Sequence, residues 1–199
     1  SKEKNTVHLR LMRFGDQTQP QWDNAVNEIN QYVATSSGKV TGVILDVRNN
    51  PGGYLTESVY IASEFMQSGV VVKQKNYRDE VLTYSVNRLG KLLTVPLVVL
   101  INQGSASASE ILAGALQGAG RAKLVGAKSF GKGSVQEVID LRGGSFLKIT
   151  VAHWLTPKGN SISEVGLTPD IKIDITDSDI EQKKDPQLDK ALEIVTGLK

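Results

Sequence analysis

Three short segments of this chain hold residues able to do chemistry. The first is Gln103-Gly104-Ser105-Ala106-Ser107-Ala108-Ser109-Glu110. It follows an apolar run, Leu97–Ile101, and opens a helix expected over about Ala106–Gln117. A serine at a strand-to-helix turn has its hydroxyl projected outward. The helix N-terminus beside it carries unsatisfied N–H groups that can hold an oxyanion. The same residues also spell a cap, because Ser107 and Glu110 read S-x-x-E. Taken alone, the segment is compatible with either role.

The second segment is Asp46-Val47-Arg48-Asn49-Asn50-Pro51-Gly52-Gly53. It too joins an apolar run, Val43–Val47, to a helical pattern. Its two glycines permit unusual backbone angles and close approach of a ligand. A glycine N–H could serve as a second oxyanion donor, but taken alone the segment reads better as a plain tight turn. The third segment is Phe130-Gly131-Lys132-Gly133-Ser134-Val135-Gln136. A lysine between two glycines fits a backbone shaped to aim one side chain. A serine nucleophile needs a base, and an amine serves only when neutral, a state that burial favours. Gln136 could then orient the amine. Residues four apart on a straight strand lie ~13 Å apart at ~3.3 Å each, so contact between Lys132 and Gln136 requires a turn or bulge. Activity is then expected to rise with pH as Lys132 loses its proton.

Elements that would position these segments alternate along the chain. Val7–Arg13 alternates like a strand. Gln21–Ala34 places Trp22, Ala25, Val26, Ile29 and Val33 on one helical face, with Pro20 before it and Gly38 after it. Leu55–Met66 has helical spacing, Val70–Lys73 reads as a strand, and Leu124–Val125 as a short one. Val135–Leu141 and Ser145–His153 flank Arg142-Gly143-Gly144 as a hairpin. The last helix runs from Asp185-Pro186 to Leu198, with Asp as N-cap and Pro at N1. Asn76–Leu93 is polar and aperiodic, which suits a flap over a site or a surface connection. This alternation argues for an α/β layer fold.

Composition bounds the function. The chain has 199 residues, 40% hydrophobic and 22% charged, which excludes global disorder and allows a real core. A net charge of +2 without a basic cluster argues against nucleic acid. Having no cysteine excludes disulfides, redox pairs and thiolate metal sites. Two histidines, His8 and His153, make a histidine-rich metal site unexpected. No apolar run reaches the ~18 residues of a membrane span. The abrupt start, Ser-Lys-Glu-Lys-Asn, without signal or anchor, reads as a fragment of a longer protein.

Together, the three segments resemble the C-terminal processing peptidases, or tail-specific proteases. In that family the middle serine of Ser-Ala-Ser-Ala-Ser-Glu is the nucleophile, here Ser107. Its lysine base stands in a Gly-Lys-Gly segment 25 residues further on, here Lys132, with a glutamine four residues later, here Gln136. The turn Arg48–Gly53 and the segment Gly166-Leu167-Thr168-Pro169-Asp170 also match. The resemblance implies a Ser-Lys serine endopeptidase that cuts extended polypeptides near their C-terminus. The oxyanion donors would be the N–H groups of Gly53 and Ala108, with Gly52 the alternative to Gly53. The implied fold is a crotonase/Clp-protease-like spiral of ββα units in a single protease core. Residues 1–6 would be a linker or remnant, 7–175 the core, and 176–199 a tail with a helix. No cofactor or metal is implied. The partner is a polypeptide, bound as an added strand near the strand-rich segment 145–153, and oligomers are compatible with the pattern. The PDZ domain that usually precedes this core is not in the sequence. A bacterial envelope, periplasmic or plastid-lumen setting is implied.

Rival chemistries are weaker. A Ser-His-Asp arrangement would need His153 as base and Asp46 or Asp170 as orienter. Metal hydrolysis lacks ligands, since Asp177, Asp179 and Glu181 read as a solvated tail. Asp79 and Glu80 read as solvated, and Trp22 and Trp154 as packing residues. An acyl-CoA enzyme of the wider superfamily would need a nucleotide site of which the sequence shows no sign. A non-catalytic or switched-off peptide-binding relative is the remaining alternative, separable by serine-directed labelling at Ser107.

Overall fold

The computed structural model describes residues 6–35 and 40–197, with side chains at 33–35 excepted. The Val33 side chain, Gly38, Leu198 and most of the expected 1–6 linker therefore lie outside what is described. In chain order the elements are β1 (Thr6–Arg10), α1 (Thr18–Thr35), β2 (Gly42–Asp46), α2 (Leu55–Phe65), β3 (Val70–Asn76), β4 (Val81–Ser85) and β5 (Leu97–Ile101). Then come α3 (Ala108–Gly118), β6 (Lys123–Gly126), β7 (Ser134–Asp140), β8 (Phe146–Leu155), β9 (Ile171–Lys172), α4 (Asp177–Glu181) and α5 (Pro186–Thr196).

Strands β1, β2, β5, β6 and β9 form a parallel sheet in the order β1-β2-β5-β6-β9. Every residue of β2 and β5 is buried. That is why both read as unbroken apolar runs: a central parallel strand is covered on both faces. Alternate side chains divide between the two faces. Val43, Leu45, Val99 and Ile101 join the larger core with Trp22, Phe65, Leu112 and Leu116 from α1, α2 and α3. Ile44, Val98, Leu100 and Val125 instead meet Ala191 and Val195 of α5. The final helix is thus one of the two layers that sandwich the sheet. Its start matches the sequence pattern, since the Asp185 carboxylate accepts the Leu188 N–H and Pro186 stands in the first turn.

A second, antiparallel sheet has the order β4-β3-β8-β7. The mixed α/β class and the single core agree with the sequence reading. Within Asn76–Leu93 the structure adds a strand that the reading lacked. β4 folds back on β3 through a turn at Asn76–Glu80, and four of its five residues are exposed. Exposure on both faces leaves no apolar alternation to read. β9 is too short to carry a pattern. α4 buries nothing, consistent with solvated carboxylates at Asp177, Asp179 and Glu181. β8 lies between β3 and β7, so Ala152 and His153 are paired on both sides. An added strand near 145–153 cannot extend over that stretch. Among the described residues no helix is long and apolar enough to cross a membrane.

Candidate active site

Ser107 is the N-cap of α3 and takes φ 56° and ψ −117°. A non-glycine residue held in such a region costs ~1–3 kcal/mol and persists only where its surroundings enforce it. The flanking serines supply that enforcement. Ser105 is fully buried; its hydroxyl donates to the Val47 carbonyl (2.8 Å) and accepts the Asn102 N–H (3.0 Å). Ser109 is fully buried as well, and its hydroxyl donates to the Asn50 carbonyl (2.9 Å). The Ala106 N–H donates to that same carbonyl at 3.0 Å. The outer serines of the run thus staple the loop to the 46–53 turn, while Ser107 between them is half-buried.

The 46–53 turn is built from Asn50, which is fully buried. Its Nδ2 donates to the Leu11 carbonyl (2.8 Å) and its Oδ1 accepts the Gly52 N–H (2.9 Å). Gly52 has φ 96°. A Cβ there would stand 2.8 Å from Ser107 Cβ and 2.9 Å from the Ala108 nitrogen. The turn therefore presses directly against the serine, and only glycine fits. The Gly52 N–H is already used by Asn50. The N–H groups of Gly53 and Ala108 donate to no described residue.

Glu110 joins the third segment to the first. It is almost wholly buried, and all of its hydrogen-bond partners donate to it. Oε1 accepts the Ser129 hydroxyl (2.6 Å) and the Gly131 N–H (2.7 Å). Oε2 accepts the N–H groups of Ser107 and Lys132, each at 2.9 Å. One carboxylate oxygen thus ties the backbones of the expected nucleophile and base. Among the described residues no hydrogen bond joins their side chains. Lys132 is exposed, and its amine bonds to no described residue. Gln136 is exposed on β7, opposite Thr150. A register irregularity falls between Val135 and Gln136, two to three residues beyond Gly133.

A charged cluster holds the other end of the 46–53 turn. The Arg48 guanidinium lies between the carboxylates of Asp46 (2.7 Å) and Asp185 (2.9 Å) and also donates to Gln187 Oε1 (3.0 Å). This pins the start of α5 to the turn. Burial pushes the Asp46 and Asp185 carboxyls up, but hydrogen bonds and charge from Arg48 prevail and hold both below the ordinary value of 3.8. A carboxyl lowered by folding adds stability above its unfolded pKa and loses it as pH falls through the folded value. The denaturation midpoint of Asp185→Asn is therefore expected to lie below the parent's at neutral pH. The gap should close in acid below about pH 4. A constant gap across that range would contradict the pairing.

The rival histidine arrangement is not assembled. His153 Nδ1 lies 3.3 Å from Ser163 Oγ on an exposed stretch of β8. Asp46 is engaged by Arg48 and His8, and Asp170 by Gln117 and the Leu124 N–H. Trp22 donates to Glu64 Oε2 and packs edge-on against Phe65 in the core, where Trp154 is buried too. The sequence reading did not identify the joining role of Glu110, the role of Asn50, or the Arg48–Asp185 pair. Glu110 had a signal in S-x-x-E. Asp185 had none, since 137 residues separate it from Arg48.

Known proteins are similar to this chain in sequence and in fold. A carboxy-terminal-processing protease of Bartonella bacilliformis is 40% identical over 173 residues, covering 86% of this chain and 39% of its own length. A carboxyl-terminal-processing protease of Synechocystis is 38% identical over 194 residues, covering 96% of this chain and 44% of its own. The structure of the photosystem II D1 C-terminal processing protease superposes with a TM-score of 0.77 at 36% identity, covering 85% of this chain and 42% of that one. The chain thus spans less than half the length of these relatives. Residues 5–173 match the model of peptidase family S41. With that span and those identities in agreement, this chain belongs to peptidase family S41.

Proposed function

We propose that the chain is the catalytic core of a serine endopeptidase that processes extended polypeptides near their C-terminus. The observation that carries this is the pair of free N–H groups, Gly53 and Ala108, flanking a half-buried serine held in a strained turn. Ser107 Oγ attacks the peptide carbonyl, and neutral Lys132 takes its proton and later gives it to the leaving amine. The two N–H groups hold the oxyanion, Gly53 in preference to Gly52, whose N–H is occupied. Gln136 orients the lysine. Water, activated by the same amine, then releases the acyl group. A bacterial envelope or plastid-lumen setting accords with this reading.

Casein cleavage by the chain, beside its Ser107→Ala and Lys132→Ala forms, tests it. The parent should cut and neither variant should. Cleavage retained by both would overturn the mechanism. The exposed Lys132 amine favours a second reading, a core at rest until something covers the lysine. In that case the parent is inert on casein and a serine-directed fluorophosphonate labels Ser107 poorly.

A further inference from the structure

A groove of about 460 Å³ runs between the edge strand β1 and helix α1, a size within the ~300–1,000 Å³ of ligand pockets. Its walls include Leu9, Leu11, Met12, Trp22, Ala25 and Tyr54. The chemistry proposed above makes no use of it.

Its position is informative. Phe14, just beyond the groove's β1 wall, donates its N–H to the Gly52 carbonyl (3.1 Å) and accepts the Tyr54 N–H (3.0 Å). The groove is thereby fastened to the turn that carries Gly53. Tyr54 is the residue after Gly53, is 53% exposed, and is itself a wall. A peptide whose carbonyl rests on the Gly53 N–H passes Tyr54 within one or two residues, at ~3.3 Å each.

The backbone beside the groove is open as well. β1 is outermost in its sheet. The Leu11 N–H donates to the Asp46 carbonyl, so the alternate residue Arg10 turns its N–H and C=O away from β2. A segment paired there turns every second side chain toward the face that holds Leu9 and Leu11. Arg10, Arg13 and Asp16 also line the groove and leave a net charge of +1 beside its apolar wall.

We propose that this groove receives an extended segment of the polypeptide substrate beside the scissile bond, one with large apolar side chains at alternate positions. The proposal rests on the peptidase reading and deepens it by naming the substrate class. Binding to the Ser107→Ala chain tests it without turnover, using fluorescence anisotropy of two labelled peptides. One peptide alternates Leu and Thr, the other Ser and Thr. The leucine peptide should bind at least about tenfold more tightly. Ala25→Trp fills the groove, and Met12→Asp places a charge at a position 60% exposed. Each should abolish the difference while leaving the denaturation midpoint near the parent's. Equal affinity for the two peptides in the parent, or discrimination kept by both variants, would overturn the proposal. So would a Ser107→Ala dimer in sedimentation that Ala25→Trp splits, which would assign the groove to a second copy. Casein cleavage by the unmodified chain is scored separately. Absence of cleavage with discrimination intact would uphold the groove as a peptide site and favour the resting core over the active one.

Discussion

Glu110→Gln is expected to keep the fold and lose nearly all cleavage. The substitution is isosteric, but an amide has one acceptor oxygen where the carboxylate has two. Whichever way it turns, an NH₂ group faces two donors. These are either the Ser107 and Lys132 N–H groups or the Gly131 N–H and Ser129 hydroxyl. Each buried donor left without a partner costs ~1–3 kcal/mol, so the loss of stability should be about 2–6 kcal/mol. The loss of activity should exceed what stability explains, since a displacement of ~1 Å at a reacting group costs on the order of 10² in rate. Fluorophosphonate labelling of Ser107, measured at a temperature where circular dichroism shows the variant folded, separates the two. A purely structural Glu110 would leave the labelling rate of the folded fraction unchanged.

Gly52→Ala is the second large effect. At φ 96° an alanine is strained wherever it has room, and here it has none. Its Cβ would stand 2.6 Å from the Ala106 carbonyl oxygen, and 2.8–2.9 Å from Ser107 Cβ and the Ala108 nitrogen. Two of these three neighbours are backbone, so the loop itself must move. The atoms displaced are those of the proposed nucleophile and one oxyanion donor. Loss of one such donor costs ~10²–10³ in kcat, and misplacement of the serine adds to it. Gly143→Ala is the matched control, since it too has positive φ (84°) but nothing within 4 Å of its Cβ. Comparable activity loss in both would mean that backbone strain, and not contact with Ser107, is responsible.

The same contacts explain how much of the site could be read in the sequence. Ser107, Lys132 and the 48–53 turn stand out as candidates in the sequence because their neighbours are constrained locally. Glycines are needed where the backbone takes positive φ, and serines where a loop must be stapled. The buried strands β2 and β5 were legible because burial on both faces demands an unbroken apolar run. The cap of α5 was legible because Asp185 and Pro186 act on their own helix.

Tertiary structure decided whatever depends on partners distant in the chain. That Glu110 clamps the backbones of both Ser107 and Lys132 depends on segments 22 residues apart meeting over α3. That Arg48 is held by Asp185 depends on α5 crossing the sheet. β4 escaped reading because its residues are exposed, so water and not a packing partner surrounds them. The groove beside Gly53 exists only because β1 is an edge strand, and edge position is a property of sheet order. Local sequence thus specified which groups are present and how their own turns bend. The packing of distant elements specified which groups those turns hold against one another, because hydrogen bonds and burial act through space and not along the chain.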